Sequence, residues 1–200
     1  MIDSETLLGV FVGLGLSAAA GLRLFVPLLA MSAASLSGHL ELSSSFDWIG
    51  TWEALIGFGV AAALEIGAYL IPFLDNALDV IAAPAAAVAG TVLMASSVVE
   101  MSPFLKWTLA IVAGGGIAGT VQLFTSATRL ASTATTAGLA NPAVSVAETG
   151  GSAGLSVVAI AAPVVALVLV VVLVYLAVRA LVGLPRRAVS RRARRTQRSS

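Results

Sequence analysis

Residues 154–182 read GLSVVAIAAPVVALVLVVVLVYLAVRALV and carry one charged side chain, Arg179. A helix crosses a hydrocarbon core of about 30 Å with roughly 20 apolar residues, so this run is long enough to span a bilayer. Backbone N–H and C=O groups in lipid must be satisfied internally, and without the alternating polarity of a barrel strand the run is expected to be helical. Four more apolar runs precede it, at about 7–31, 54–73, 78–99 and 107–124. The expected fold is therefore all-α, a polytopic transmembrane helical bundle of about five spans forming one domain over residues 1–184. Of the 200 residues 58% are hydrophobic and only 10% charged, and the mean hydropathy of +1.01 is far above what a soluble domain carries.

The first run holds Gly13, Gly15, Gly21, Arg23 and Pro27, so it is expected to bend or break near its middle. Its start has Asp3 and Glu5 where a secretory signal would have basic residues, so it is read as a retained span. Trp48, Trp52 and Trp107 suit an interfacial belt. Gly9 with Gly13, and Gly115 with Gly119, have the spacing of close helix contacts in lipid. Residues 125–152 are rich in Ser, Thr and Gly and too polar to face lipid unshielded; they read as a loop or as a helix turned inward. Residues 185–200 form a basic tail, expected to be disordered, with Arg186, Arg187, Arg191, Arg192, Arg194 and Arg195. The positive-inside rule places this tail in the cytoplasm and, with five spans, the N-terminus outside; its arginines are candidate contacts for anionic lipid headgroups. Nucleic acid is a poor fit, because the tail lacks aromatic residues for base stacking. Shifting the chain by 106 residues superposes Arg23 on Arg129 and the first two runs on the fourth and fifth, a weak repeat that the single connecting span would invert.

Four charges in or beside the apolar segments need an explanation. Glu65 lies about eleven residues into its run, roughly 16 Å at 1.5 Å per residue, where a carboxylate must be paired, protonated or wet. It reads as a proton or cation site, or as the structural partner of Arg23 or of a backbone group exposed by Pro72. Arg23 cannot readily lose its proton, so it requires an acid, carbonyl oxygens or an anionic ligand, and Glu65 is the obvious acid. Asp75 and Asp79, four residues apart, share a helix face; both suit the first turn of a helix, and both suit an acidic vestibule. Ser126, Thr128 and Arg129 are candidates for a polar lining.

The chain has no cysteine, which excludes disulfides, thiol catalysis and iron–sulfur clusters, and it has no HExxH, phosphate loop or nucleophile elbow. No catalytic residue, metal site or cofactor is expected. The segments "AAAGLRLFVPLLAMS" and "LEIGAYLIPFLDNALDVIAAPAAAVAGTVL", followed by a Ser/Thr and "NP" stretch before the last run, resemble a family of small bacterial multi-pass membrane proteins known only as a domain of unknown function. The resemblance rests chiefly on the order Glu65, Pro72, Asp75, Asp79, Pro84. It implies a helical membrane architecture and a bacterial cytoplasmic membrane, and carries no activity with it. Two functions fit the residues: a small transporter or channel using Glu65 and Arg23 in a polar interior with Asp75 and Asp79 at its mouth, or a non-catalytic membrane scaffold. Five short helices enclose little space, which favours a homo-oligomer in the first case.

Overall fold

The computed structural model describes residues 4–69 and 74–196, and side chains within these segments other than those of 74–80 and 183–196. Asp75, Asp79 and the tail arginines therefore lie outside the described side chains. The described chain is all-helical: α1 Ser4–Ala20, α2 Phe25–Leu36, a 3-10 segment Ser44–Gly50, α3 Trp52–Ala68, α4 Leu74–Ser97, α5 Pro103–Leu109, a π-helical segment Ala110–Gly115, α6 Gly116–Thr136, α7 Asn141–Ala161 and α8 Pro163–Thr196. No strand occurs among the described residues.

The first apolar run breaks, as its glycines and proline suggest, and the break reverses the chain. Pro27 is the third residue of α2, where a missing N–H is tolerated; in a continuous helix its ring would collide with the carbonyl of Arg23. Gly9 packs on the Ser97 carbonyl, and Ser43 N–H donates to Ser96 O at 2.9 Å. Were α2 to continue in line with α1, Leu36 would end about 40 Å from Gly9, whereas residues 37–43 span at most about 25 Å. So α2 must turn back, and residues 7–31 form two helices whose outer ends lie together.

Glycine and serine set how closely the helices approach. Along α1, Gly9, Gly13 and Ser17 meet Ser97, Met94 and Gly90 of α4 in descending order, with Ser17 Oγ donating to Gly90 O at 2.8 Å. A Cβ on Gly90 would stand 2.5 Å from Ala118 Cβ and 2.6 Å from Gly114 O. The expected contact faces around Gly9, Gly13 and Gly115 are thus present, with α4 antiparallel to α1 and α6 parallel to it. Gly15 lies against both Ala159 of α7 and Ala166 of α8. Farther along, Ala18, Ala19, Val121, Leu155 and Val170 form one cluster, so α8 runs in the direction of α1 while α7 opposes it.

This arrangement corrects two expectations. Residues 154–182 are not one helix but the end of α7 and the start of α8, interrupted at Ala162 (φ −145°, ψ 69°) before Pro163. The two halves are also not inverted. Each contains three helices running out, back and out, α1–α2–α3 and α6–α7–α8, so the single connector α4 returns the chain to its starting side and both halves point the same way. Among the described residues Pro103–Thr136, Asn141–Ala161 and Pro163–Val182 are long and apolar enough to cross a membrane; Ser44–Gly50 with Trp52–Ala68, bent by 65°, makes a fourth candidate. Ser4–Ala20, Phe25–Leu36 and Ile81–Ser97 are shorter apolar helices, which replaces the expected five or so spans with a mixture of long and short helices.

Candidate functional site

The break after α1 carries Arg23 into the interior, where it is 1% exposed. Its Nε donates to Thr149 Oγ1 at 3.0 Å, and Nη2 donates to the Ser145 carbonyl at 3.0 Å and to Ser145 Oγ. Glu148 Oε2 is 3.5 Å from the same Nη2 and also pairs with Nη2 of Arg129. Both guanidinium groups lie over the ring of Tyr69, with their carbons 4.3 Å (Arg23) and 4.0 Å (Arg129) from its centroid. Electrostatic attraction to a ring face adds to such a centre where water is excluded. Arg23 Nη1 is buried and has no hydrogen-bond partner among the described residues.

The local folding that assembles this centre is a matter of helical period. Asn141, Ser145, Glu148, Ser152 and Ser156 are the buried polar residues of α7, and steps of four, three, four and four keep them on one face toward α1 and α2. Ser152 Oγ donates to Ala19 O at 3.0 Å, one turn from the arginine. On α6, Gln122, Thr125 and Arg129 form the matching buried stripe. The polar segment at residues 125–152 is therefore an inward-facing helical hairpin, turned at Ala137 (φ 53°) and Gly138 (φ 85°). Of the expected lining residues, Arg129 is central, Ser126 accepts from Gln122 Nε2 at 3.3 Å, and Thr128 is exposed and bonds back to Phe124 O.

Glu65 does not take the partner expected of it. Its Oε1 accepts from Leu24 N–H at 2.8 Å and its Oε2 from Phe25 N–H at 3.0 Å. These amides start α2 and have no acceptor within the helix, so the carboxylate of α3 caps α2 across the helix interface. The acid nearest Arg23 is Glu148, which, with Tyr69, Ser145 and Thr149, the sequence did not single out. Glu148 could have been found from its spacing: it is the one acid on the serine stripe of α7.

Arg129 lies 22 residues beyond Trp107 along α5, the π segment and α6, about 33 Å at helical rise; Glu65 lies 13 beyond Trp52, about 20 Å. The centre thus sits far from the tryptophan-bearing end. Glu65 and Tyr69 also border a groove of about 970 Å³ between α2, α3 and α4 whose other walls are mostly apolar. No three His, Cys, Asp or Glu side chains gather into a metal site among the described residues. What the arrangement can do is hold a polar or charged group: donors from Arg23, acceptors from Glu148 and Glu65, and hydroxyls from Ser145 and Thr149.

Comparisons with curated proteins and with solved structures give no match. The family model described as "Domain of unknown function (DUF4126)" matches residues 10–182, and with nearly the whole membrane bundle covered, the chain belongs to that family.

Proposed function

We propose that the protein is a small transporter of the bacterial cytoplasmic membrane, with Arg23, Tyr69, Arg129 and Glu148 as its solute-binding centre in an occluded form. The observation that carries this is Arg23 Nη1, a donor on a fully buried guanidinium that the described protein leaves unused. Buried donors are normally satisfied, and intramembrane charges are functional candidates by default. The setting supports it too: interrupted helices in transporters expose polar backbone and side chains to a bound solute. The basic tail, which through Thr196 is the helical end of α8 rather than the disordered segment expected, supports an orientation with the centre's end of the bundle toward the cytoplasm and the N-terminus outside. The tail arginines engage anionic headgroups at that surface.

The test uses purified protein in liposomes under imposed proton, sodium, chloride and phosphate gradients. Flux above protein-free vesicles is expected, and Arg23→Lys, which keeps the charge but loses the planar fork, lowers it by about tenfold or more. Full flux in a monodisperse Arg23→Lys protein removes the centre from the mechanism.

A second reading has its own support, because Arg23 is completely packed among protein atoms. There the cluster is a clamp that fixes α1, α6 and α7 in register within a membrane scaffold. Replacing Arg23, Arg129 and Glu148 together by apolar residues then preserves assembly, since a well-packed apolar set often substitutes for a buried ion network.

A further inference from the structure

We propose that the groove between α2, α3 and α4 is a binding site for a membrane phospholipid with an amine-bearing headgroup, its ammonium on Glu65 and one acyl chain along the apolar walls. This goes beyond the transport reading and stands without it.

The groove exists because α3 is poorly covered. Ala62 is the one buried residue within α3, and the helix packs mainly on α2 and the 3-10 segment rather than on α4. The walls on either side are Leu28, Phe58, Val88 and Val92, with Trp48 at one end and Glu65 and Tyr69 at the other. From Phe58 to Tyr69 is eleven residues, about 16 Å of helix, close to half of a hydrocarbon core of about 30 Å. One leaflet's acyl chain has that reach. The volume falls at the upper end of the roughly 300–1,000 Å³ typical of ligand sites.

Charge complementarity identifies the head. Glu65 is the charged residue among the described residues of the groove wall. Each of its oxygens takes one backbone N–H, and a carboxylate oxygen has a second lone-pair site. Left facing hydrocarbon, that capacity is costly; an ammonium uses it. Behind Tyr69 stand Arg23 and Arg129, whose field, strong in a low-dielectric setting, favours a phosphate next to the ammonium. Two acids and two bases at this end match a head of both signs better than a simple cation or anion. The polar end is also about 20 Å along α3 from Trp52, past the midpoint of a core of about 30 Å and so in the half of the bilayer that belongs to the opposite leaflet.

The experiment is native mass spectrometry of the full chain released from nanodiscs holding equal amounts of phosphatidylethanolamine and phosphatidylglycerol with identical chains. Bound phosphatidylethanolamine is expected to exceed phosphatidylglycerol by about tenfold, the factor that one charge-assisted hydrogen bond supplies. Glu65→Gln should abolish the preference while lipid is still retained. Ala85→Trp and Val88→Trp, which fill the groove from α4 rather than from the helix that carries Glu65, should each displace both lipids from a protein that stays monodisperse. Equal retention of the two headgroups by the native chain overturns the assignment, as does lipid retained at native level in both tryptophan variants. A native dimer that either tryptophan variant splits would show a second copy in the groove, and overturns it as well.

Discussion

Replacing Glu148 by Gln keeps the size of the side chain and removes the charge that two buried guanidiniums share. At 3.5 Å the Arg23–Glu148 attraction alone is about 5 kcal/mol with an effective dielectric constant of 20, before any desolvation is counted. Desolvation of the acid is recovered in the mutant, so the net loss is smaller than the summed attractions. Breaking a buried pair by removing one partner typically costs about 3–5 kcal/mol, because the surviving charge stays buried. An ordinary neutral hydrogen bond between membrane helices contributes about 0.6 kcal/mol. The two scales are far enough apart to decide the matter. Glu148→Gln should lower the stability by about 3 kcal/mol or more, read as a thermal midpoint in detergent at least about 6 °C below the native one. In a double-mutant cycle with Arg129→Gln, the coupling should exceed about 1.5 kcal/mol. A loss below about 1 kcal/mol with no coupling would show that the acid is an ordinary neutral contact, and the electrostatic account of the centre would be wrong.

Glu65→Ala leaves Leu24 and Phe25 N–H without their acceptor, so it should cost about 1–2 kcal/mol and speed hydrogen exchange at those two amides before any others in α2; protection unchanged there would refute the capping role. Gly90→Ala drives a methyl into Ala118 and the Gly114 carbonyl, backbone that cannot swing aside, and should cost about 1–3 kcal/mol in a melting experiment. Gly57→Ala, on α3 with nothing within 4 Å of the added methyl, should instead be neutral or raise stability by up to about 1 kcal/mol; equal losses at the two positions would show that helix propensity, not close packing, sets the effect.

Hydropathy made the membrane class legible, and glycine spacing made the α1–α4 contact legible, because both depend on residue type over short distances. Direction was harder. The break at residues 21–24 was readable from Gly21 and Pro27, but whether the chain continues or reverses depends on contacts with α4, seventy and more residues away. The interruption at Pro163 was lost for the opposite reason: Val and Leu on both sides keep the hydropathy high through a residue that starts a new helix. Those two breaks changed the count in each half from two to three, and with it the relation between the halves from inverted to parallel. The pairing of charges was not legible at all. Acid and base alone match Glu65 to Arg23; the backbone amides of Leu24 and Phe25 took the carboxylate first, and Pro27 was the one hint that such orphan donors would exist.

The 106-residue offset that aligns Arg23 with Arg129 acquires a physical meaning in the centre, where both reach the same tyrosine ring. The two positions are not equivalent in detail. Arg23 sits in a break and uses Ser145 and Thr149, while Arg129 sits within a continuous helix and pairs directly with Glu148. A duplicated site with full symmetry would give each arginine its own acid, yet the residue 106 positions after Glu65 is Val171. One acid therefore serves two bases inside the cluster, and Glu65, occupied by a helix N-terminus, balances them only from the groove side. That division of labour ties the three elements together electrostatically: displacing Glu65 from α2 exposes Arg23 to an uncompensated field, and displacing Arg23 leaves Glu148 to Arg129 alone. Under the proposed transport reading, a ligand that engages one side is expected to alter the other, a coupling that a set of independent helix clamps would not show.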